Sequence, residues 1–414
     1  MNYPDSVRYL YSLGNELKTF KFGLETIGAV TAALGHPERA CRFVHVAGTN
    51  GKGSTCAMIE SGLRAAGLRT GLYTSPHLAE PTERIQIGGE PITPDDFVEA
   101  FEVVHEAAKT LEHHPTYFET VTAMAFVLFE RRRVEIGVLE VGMGGRLDAT
   151  NMVTPVLSVI TPVDFDHEAY LGRSLEAIAG EKAGILKPGV PAILSAQRPE
   201  SEATILDRAA STGSPITSSR EWRMTDCTLT ARGSRFVAQK EGGVPVRVEC
   251  PLAGEHQIEN ALTAVAALQS LGIDTAAIER GIAATQWPGR LELISTDPEI
   301  ILDGAHNPSG ARALASYIER FYEGRNICLV YGAMRDKAVV EVTGILFPSA
   351  RTVIATAPAQ DRATRPETIR ELSGRDDLIV TATVSDALKK AKALRPDVIF
   401  VTGSLFVVAE ARLL

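Results

Sequence analysis

The chain has 414 residues, of which 45% are hydrophobic and 22% are charged, and its formal net charge at neutral pH is -9. This length exceeds that of one ordinary domain and the composition allows large buried cores, so we expect roughly two or three folded domains. The acidic balance argues against a general nucleic-acid or anionic-membrane binder, because such proteins need a field of Lys and Arg. A small anionic substrate needs only a few local cations and is compatible with this charge.

The five cysteines are scattered without a C-x-x-C pair, which is typical of reduced thiols in a reducing compartment. The first residues, MNYPDSVRYL, lack the basic start and the long apolar stretch of a signal peptide. No run approaches the roughly 18 apolar residues of a membrane helix. We therefore expect a cytoplasmic protein that binds neither membranes nor nucleic acid.

Apolar runs typical of strands alternate with helical patterns along most of the chain, which predicts parallel sheets covered by helices. In the first half, strands are predicted at residues 43–47, 72–74, 134–141 and 156–161, and helices from residue 52 and over residues 118–130. The alternating polar and apolar residues of 218–250 predict a small antiparallel region, and a helix is predicted over residues 255–271.

Residues 287–290 (WPGR) interrupt this pattern and predict an interdomain hinge. Beyond it, strands are predicted at 300–302, 327–331, 352–355, 378–380 and 398–401, with helices at 309–322 and 386–394. This alternation predicts a second α/β domain of the nucleotide-binding kind.

A glycine-rich segment, GTNGKGS, lies between the first predicted strand and the first predicted long helix. Its glycines would let backbone N–H groups approach phosphate oxygens, Lys52 would neutralise the β- and γ-phosphates, and the helix N-terminus adds positive potential. The spacing is not that of a strict P-loop, because Val46 occupies the place of the first glycine and Gly53 separates Lys52 from Ser54. A plain strand–helix turn is the alternative, but the combination of residues favours ATP binding.

Polar residues follow several of the predicted strands: Glu140 ends one, Ser75 follows another, and Asp164, Asp166 and His167 follow a third. Ligands of open α/β sheets collect at these carboxyl ends, and the Mg²⁺ that accompanies ATP prefers oxygen ligands. A buried carboxylate is costly unless a cation compensates it, which favours a metal role for Glu140. A salt-bridged Glu140 and a structural His167 are the alternatives.

A series of short segments then points to a known family. They are HVAGTNGKGS, TSPHL, LEVGMGGRLDATN, DFDHEAYLG, EKAGI, PGRLE and LDGAHNP, which begin at His45, Thr74, Leu139, Asp164, Glu181, Pro288 and Leu302. In this order and over nearly the whole chain, they resemble the folylpolyglutamate synthase and dihydrofolate synthase branch of the Mur ligase family. The resemblance implies an α/β fold with a P-loop-type ATPase domain built on a mainly parallel sheet, which also binds folate (residues 1–291). A smaller Rossmann-like glutamate ligase domain would follow (residues 292–414).

The resemblance also implies site residues. ATP would contact Gly48, Thr49, Asn50, Gly51, Lys52, Gly53, Ser54, Asn260, Arg290, Asp303 and His306. One or two Mg²⁺ ions would be bound by Ser75, Glu140 and His167, and the catalytic residues would be Lys52, Lys182 and His167. By sequence alone Lys182 is a surface or phosphate-binding lysine. The resemblance matches it to a lysine that the family carbamylates, and the resulting anion could assist magnesium binding.

Two segments are similar to the family's pterin-side segments: Gly23, Leu24, Glu25 and Thr26, where Thr26 replaces the more usual Arg, and Thr116, Tyr117, Phe118 and Glu119. Leu147, Asp148 and Ala149 would line the same pocket. An aromatic pair beside a carboxylate can stack on a flat heterocycle and accept its ring N–H groups. The alternative is that Tyr117 and Phe118 simply pack at the start of a helix.

The implied activity is ATP-dependent addition of L-glutamate to folate through an acyl phosphate. Arg146 and the aromatic segment favour a bifunctional enzyme that also uses dihydropteroate. The implied partners are these small molecules, and we expect a monomer. A monofunctional folylpolyglutamate synthase, a peptidoglycan Mur ligase, a P-loop kinase or GTPase, and a non-catalytic binding module are the alternatives. The short segment before Gly48 disfavours the peptidoglycan enzymes. Lys337 belongs to a segment similar to a family DKD motif, although Ala338 replaces its last Asp.

Overall fold

The structure is a computed structural model that describes residues 1–14, 23–335 and 338–414. Lys337, singled out by the sequence, lies outside these residues. The chain divides into two compact units: 1–226, 236–249 and 259–285 form the first, and 227–235, 250–258 and 286–414 form the second. The predicted boundary after residue 291 stays a prediction. Across the described residues, no helix combines the length and apolarity needed to cross a membrane.

The first unit carries most of the helices. They are α1 (Tyr3–Ser12), α2 (Glu25–Ala33), α3 (Lys52–Ala65), α4 (Pro94–Ala108), α5 (Tyr117–Arg131), α6 (Glu168–Leu171), α7 (Leu175–Ala183), α8 (Pro199–Thr212), most of α9 (His256–Ser270) and α10 (Thr275–Ala283). Its strands are β1 (Arg42–Ala47), β2 (Thr70–Tyr73), β3 (Ile85–Ile87), β4 (Glu90–Pro91), β5 (Ile136–Glu140), β6 (Leu157–Ile160), β7 (Ala192–Leu194) and β8 (Ile216–Ser218).

Within the described chain, these strands form an eight-stranded sheet in the order β4-β3-β2-β5-β1-β6-β7-β8. The strands from β2 to β8 in this order are parallel, whereas β3 is antiparallel to both β2 and β4. After β1 the chain forms β2 and β5 on one side of it, and then crosses to β6 on the other. The carboxyl end of β1 is therefore a topological switch point, where open α/β sheets bind their ligands.

Burial explains why the central strands of this sheet form. Nearly every residue of β1, β2, β5 and β6 is buried, as expected for parallel strands with helices on both faces. Helix α3 is buried from Gly53 to Leu63. It packs closely on α10, because a Cβ at Gly281 would overlap the backbone of Gly62. The Ser61 hydroxyl also donates a 2.7 Å hydrogen bond to the carbonyl of Gly281.

Three further strands, β9 (Trp222–Thr230), β10 (Gly233–Lys240) and β11 (Val246–Cys250), form a sheet in the order β11-β10-β9 among the described residues. The second unit contains β12 (Glu292–Thr296), β13 (Glu299–Leu302), β14 (Ile327–Tyr331), β15 (Thr352–Ala355), β16 (Ile379–Val380) and β17 (Val398–Thr402). Its helices are α11 (Pro308–Tyr322), α12 (Val339–Leu346), α13 (Pro366–Ser373), α14 (Val384–Ala393) and α15 (Leu405–Arg412).

The described strands of the second unit form a six-stranded sheet in the order β12-β13-β17-β14-β15-β16. All neighbours are parallel except β12, which is antiparallel to β13. The predicted α/β class, with a large mainly parallel sheet and a second C-terminal α/β domain, is confirmed. The predicted strands 327–331 and 352–355 coincide with β14 and β15. The short strands β3, β4, β7 and β8 were not predicted, because so few residues leave no readable period. Strand β12 was also not predicted, because its residues are partly or fully exposed and do not form an apolar run.

Candidate functional site

The glycine-rich loop leaves β1 at the switch point and leads directly into α3. Gly48 has a φ of 151° and Gly51 a φ of 83°, both in the region that favours glycine. A side chain at Gly51 would also overlap the amide group of Asn260, which is buried on α9. Because the first N–H groups of a helix have no intrahelical partner, the start of α3 is suited to bind an anion.

The first part of this loop is tied to the residues that follow β6. The backbone N–H groups of Thr49 and Asn50 both donate to the carbonyl of Pro162, over 2.9 and 3.3 Å. The Thr49 hydroxyl donates to the Asp164 carbonyl over 2.9 Å and accepts from the Asp164 N–H over 3.0 Å. These two N–H groups therefore hold the loop in shape, and the backbone that faces an anion is the part from Gly51 onward.

Two lysines contact the loop from different elements. The Lys52 ammonium, on the first turn of α3, donates to the Thr49 carbonyl over 3.2 Å. The Lys182 ammonium, on α7, donates to the Gly48 carbonyl over 2.7 Å. Lys182 is buried, so the surface position offered as one alternative from the sequence is wrong. Burial, and then the charge of Lys52, lower the pKa of Lys182 to about 7, while the charges of Asp166 and Asp148 act in the opposite direction.

Two of the predicted metal ligands, Ser75 and Glu140, lie at the carboxyl ends of the neighbouring strands β2 and β5. Glu140 ends β5, is buried, and accepts a 3.2 Å hydrogen bond from the N–H of Ser75, which follows β2. His167 caps α6 with a φ of 52°, and its N–H donates to the Asp166 carboxylate over 2.9 Å. Neighbouring Cys56 is fully buried, and burial followed by the Glu140 charge raises its pKa well above the ordinary value, which argues against a thiolate nucleophile.

These residues fit magnesium by their chemistry. Among the residues that the structure describes, no group of three or more His, Cys, Asp or Glu side chains is placed to hold a metal ion. Zinc-like sites need such a group, whereas Mg²⁺ keeps several waters and uses one or two carboxylates together with phosphate oxygens. Glu140 supplies a carboxylate where Lys52 would hold phosphate, and Ser75 supplies a hydroxyl oxygen.

The predicted pterin-side segments come together on one side of the same unit. Helices α2 and α5, which follow or contain two of these segments, and the turn at Ala149–Met152 pack against one another. Leu24 precedes α2 as its N-cap and is partly buried, like Thr26, whereas Glu25 is exposed. Gly23 lies so close to the Glu25 carboxylate that a Cβ there would overlap it. Leu147 lies on the loop that leads into this turn, and Ala149 is the first residue of the turn.

The side chains at the start of α5 make structural contacts within the protein. The Thr116 hydroxyl accepts a hydrogen bond from the N–H of Glu119. In return, the Glu119 carboxylate accepts from the N–H of Thr116 over 2.8 Å. This reciprocal pair is a capping box. Phe118 packs on Gly142, because a Cβ there would overlap its ring. Tyr117 stacks on Tyr11, with ring centroids 5.8 Å apart and planes 3° apart. Tyr117 and Phe118 therefore do pack at the start of a helix, which is the alternative role that the sequence left open for them.

Asp148 is buried, and both of its carboxylate oxygens accept hydrogen bonds from its own loop. One accepts from the Met143 N–H over 2.9 Å, and the other from the N–H and hydroxyl of Thr150 over 3.0 and 2.5 Å. The same hydroxyl lies 2.8 Å from the Nε2 atom of buried His45. Burial raises the pKa of Asp148 to about 6 and lowers that of His45 to about 3. Asp148 thus fixes the loop that follows Glu140.

The remaining predicted ATP residues lie in the second unit, after β13 and in the segment before β12. The buried Asp303 carboxylate accepts from the N–H groups of Leu291 and Ala305 over 3.1 and 2.9 Å. Burial raises the pKa of Asp303, and the nearby charges of Arg290 and then His306 oppose this shift. The structure therefore brings Arg290, Asp303 and His306 together.

Sequence reasoning missed several polar residues that hold these loops, among them His45, Thr150 and Gln197. His45 and Thr150 lie within quoted motifs but were given no role. Gln197, three residues after the end of β7, was not singled out, because a polar residue in a loop does not by itself indicate a structural role.

Comparisons with known proteins agree with these observations. Residues 46–268 match the family described as Mur ligase middle domain, and residues 289–405 match the Mur ligase, glutamate ligase domain. A folylpolyglutamate synthase of Lacticaseibacillus casei is 35% identical over 100% of this chain and 98% of its own length. A dihydrofolate synthase/folylpolyglutamate synthase of Bacillus subtilis is 33% identical over 95% of this chain and 94% of its own length.

A probable bifunctional folylpolyglutamate synthase/dihydropteroate synthase of Halobacterium salinarum is 37% identical over 100% of this chain, which spans only 51% of that relative. Among solved structures, Mycobacterium tuberculosis folylpolyglutamate synthase complexed with ADP and AMPPCP has a TM-score of 0.93 at 32% identity, covering 100% of this chain and 98% of that one. Escherichia coli FolC in complex with DHPP and ADP has a TM-score of 0.89 at 32% identity, covering 99% and 96%.

Proposed function

The chain belongs to the Mur ligase family, and on that premise we propose that it is an ATP-dependent ligase that joins L-glutamate to a folate-type carboxylate, with release of ADP and phosphate. The observation that carries this proposal is the convergence at one sheet edge of the glycine loop, Lys52, Lys182 and buried Glu140. Relatives with this activity in their names cover nearly the whole chain, and one is bound to ADP and AMPPCP.

The reaction has two steps that need no side-chain nucleophile. A carboxylate oxygen of the folate attacks the γ-phosphorus of ATP, the bond to the ADP oxygen breaks, and an acyl phosphate forms. The glutamate amine then attacks the acyl carbon, phosphate leaves with the former carboxylate oxygen, and the nitrogen loses a proton to give the amide. The protein contributes positioning and charge neutralisation. Lys52 and the start of α3 stabilise the negative charge of the transferred phosphoryl group.

Ser75, Glu140 and His167 would hold Mg²⁺, which neutralises phosphate charge when bound. The buried Glu140 carboxylate, oriented by the Ser75 N–H, supports this assignment. In the second unit, Arg290, Asp303 and His306 would contact the nucleotide. We assign residues 1–291 to ATP and folate binding and 292–414 to the glutamate ligase domain.

Lys182 would act as a carbamate. Its pKa of about 7 leaves much of the amine neutral at physiological pH, and the neutral amine is the form that attacks carbon dioxide. The new N–C bond gives an N-carboxylate with loss of one proton from the nitrogen. The remaining N–H can still donate to the Gly48 carbonyl. The modification would replace a buried cation by an anion that assists Mg²⁺ binding.

On the folate side, the segments at Gly23–Thr26, Thr116–Glu119 and Leu147–Ala149 would hold the pterin ring. The buried rings of Tyr117 and Phe118, which pack on Tyr11 and Gly142, would support this pocket. We propose that the enzyme is bifunctional, with dihydrofolate synthase activity on dihydropteroate. The dihydrofolate synthase names of relatives and the DHPP complex of the Escherichia coli protein support this. A monomeric state and a cytoplasmic location stay predictions.

One assay separates these activities. Glutamate-dependent ADP release should be measured with dihydropteroate and with tetrahydrofolate as separate substrates. The proposal expects turnover with both. Turnover with tetrahydrofolate alone would leave a monofunctional folylpolyglutamate synthase. Nucleotide hydrolysis that is indifferent to both glutamate and folate would contradict the ligase assignment and favour a kinase or GTPase-like protein.

A further inference from the structure

Gln197 is a buried amide outside every segment considered so far. It follows β7 and precedes α8, and only 7% of its surface is exposed. Its Oε1 atom accepts from the N–H of Val163 over 2.9 Å, and its Nε2 atom donates to the carbonyl of Thr161 over 3.0 Å. The Nε2 atom also contacts the carbonyl of Ile160 at 3.5 Å and the hydroxyl of Ser195 at 3.3 Å.

These contacts fix the amide in one orientation. The N–H of Val163 requires an acceptor and the carbonyl of Thr161 requires a donor, so a flipped amide would lose both interactions. A side chain with one donor and one acceptor at these positions is therefore matched to this turn. An apolar residue of the same size would remove the hydrogen-bond partners that Gln197 gives to the Val163 N–H and the Thr161 carbonyl, which is unfavourable for buried backbone groups.

The two residues that Gln197 holds are the chain neighbours of Pro162. The Pro162 carbonyl is the acceptor for the backbone N–H groups of both Thr49 and Asn50 in the glycine loop. One residue further along, Asp164 exchanges two hydrogen bonds with the Thr49 side chain. Arg198 adds an ion pair to Asp164 at 3.2 Å, although its side chain is about half exposed and contributes less.

We infer that Gln197 is a positioning residue for nucleotide binding, which acts through Pro162 to hold the glycine loop in the shape that receives phosphate. None of its described side-chain hydrogen bonds goes to the glycine loop itself. Its effect is transmitted by residues 161–164, the connection that also leads to His167. This inference rests on the proposed function only in taking the glycine loop as the nucleotide site.

The experiment measures the dissociation constant of ADP and the KM for ATP in Gln197→Met, a near-isosteric change that removes both the donor and the acceptor. We expect ADP to bind about tenfold more weakly and the KM for ATP to rise by a similar factor, because the nucleotide must then itself order the glycine loop, and fixing the backbone of about one residue corresponds to about a factor of ten in an equilibrium constant. The KM for the folate substrate should not change.

Gln269→Met is the matched control. Gln269 is a glutamine of the same unit whose Oε1 accepts a 2.8 Å hydrogen bond from Trp222, away from the glycine loop. Its loss should lower the Tm to a similar degree and leave ADP binding unchanged. If Gln197→Met lowers the Tm but binds ADP as the wild type does, Gln197 is only a structural residue and the inference is wrong.

A second variant keeps the inference testable if the methionine protein is too unstable. A protonated carboxyl group has one donor and one acceptor, so Gln197→Glu should bind ADP nearly as the wild type does at about pH 6. It should lose affinity relative to the wild type as the pH rises to about 9, when a buried carboxyl ionises and its donor is lost. A constant ratio of the two affinities would contradict the inference.

Because ADP binding needs no glutamate, the inference and the proposed function can fail separately. A protein that shows this pattern of ADP binding but fails to ligate would contradict the proposed function alone.

Discussion

The side-chain nitrogen of Lys182 lies 2.7 Å from the carbonyl oxygen of Gly48 and donates a hydrogen bond to it. This bond joins α7 to the first residue of the glycine loop and places a second lysine near Lys52. Burial of Lys182, and then repulsion by the charge of Lys52, lower the pKa of Lys182 to about 7. Two neighbouring lysines destabilise the folded protein when no anion is bound, and they are suited to bind one.

The stability of the protein should depend on pH through Lys182. Its pKa is about 7 when folded and 10.5 in the ordinary state, so between these values the unfolded chain binds more protons and stability rises with pH. Well below pH 7, the full free-energy penalty of burying the Lys182 charge is present. Between about pH 7 and pH 9 the free energy of unfolding should gain on the order of 2 kcal/mol from this group.

Urea unfolding of the wild type and Lys182→Met in bicarbonate-free buffer measures this difference. The variant should lack the gain, while Lys109→Met, a change at an exposed lysine just after α4, should keep it. The same pH dependence in the wild type and in Lys182→Met would show that the buried amine is not the titrating group.

Replacing Lys52 by alanine should lower turnover by a factor of about a hundred or more, because a preorganised group that stabilises developing charge is worth that much. The fold should be preserved, since the Lys52 ammonium is held only by the 3.2 Å bond to the Thr49 carbonyl among its described contacts. Steady-state ADP release and circular dichroism are the measurements. Lys109→Ala is the control, and near-normal ligation by Lys52→Ala would refute its role.

Gly51→Ala should abolish nucleotide binding. It should also destabilise the protein by more than the free energy that alanine loses by adopting a positive φ. Gly51 has a φ of 83°, and its Cβ would overlap the Asn260 amide. Gly67→Ala is the matched control, because Gly67 has a φ of 85° but open space around a Cβ. The control isolates the conformational cost of roughly 1–2 kcal/mol. Equal effects of the two changes on thermal stability and ADP binding would mean that the contact with Asn260 is unimportant.

Glu140→Gln should raise the Mg²⁺ concentration that half-saturates the reaction by at least about tenfold, since a neutral amide is a poorer ligand for a hard cation than a carboxylate. The amide keeps an oxygen that can accept from the Ser75 N–H, so the Tm should change little. Activity measured against Mg²⁺ at saturating ATP gives the result. An unchanged magnesium requirement would remove Glu140 from the proposed ligand set.

The parts of the fold that follow from local pattern were readable from the sequence. Strands such as β14 and β15 are continuous apolar runs, and the loop at Gly48 lies between a strand and a helix that both have clear periods. The gathering of Ser75, Glu140 and His167 at one edge follows from parallel pairing, since parallel strands have their carboxyl ends together.

The features that the sequence did not predict depend on contacts between residues that are far apart in the chain. The burial of Lys182 results from the packing of α7 under the glycine loop, which no local period encodes. Likewise, nothing near Gln197 indicates that its amide holds both neighbours of Pro162. Glu119 was given a substrate role because its carboxylate stands beside two aromatic residues, although the same spacing from Thr116 is that of a capping box.

The formation of an acyl phosphate is the claim on which the account depends, and isotope transfer tests it most directly. The folate substrate, labelled with ¹⁸O in the reacting carboxylate, is incubated with ATP, Mg²⁺ and glutamate, and the released phosphate is analysed by mass spectrometry. The account predicts one labelled oxygen in each phosphate released and ADP as the other product. Unlabelled phosphate formed together with the new amide, or release of AMP and pyrophosphate, would contradict it.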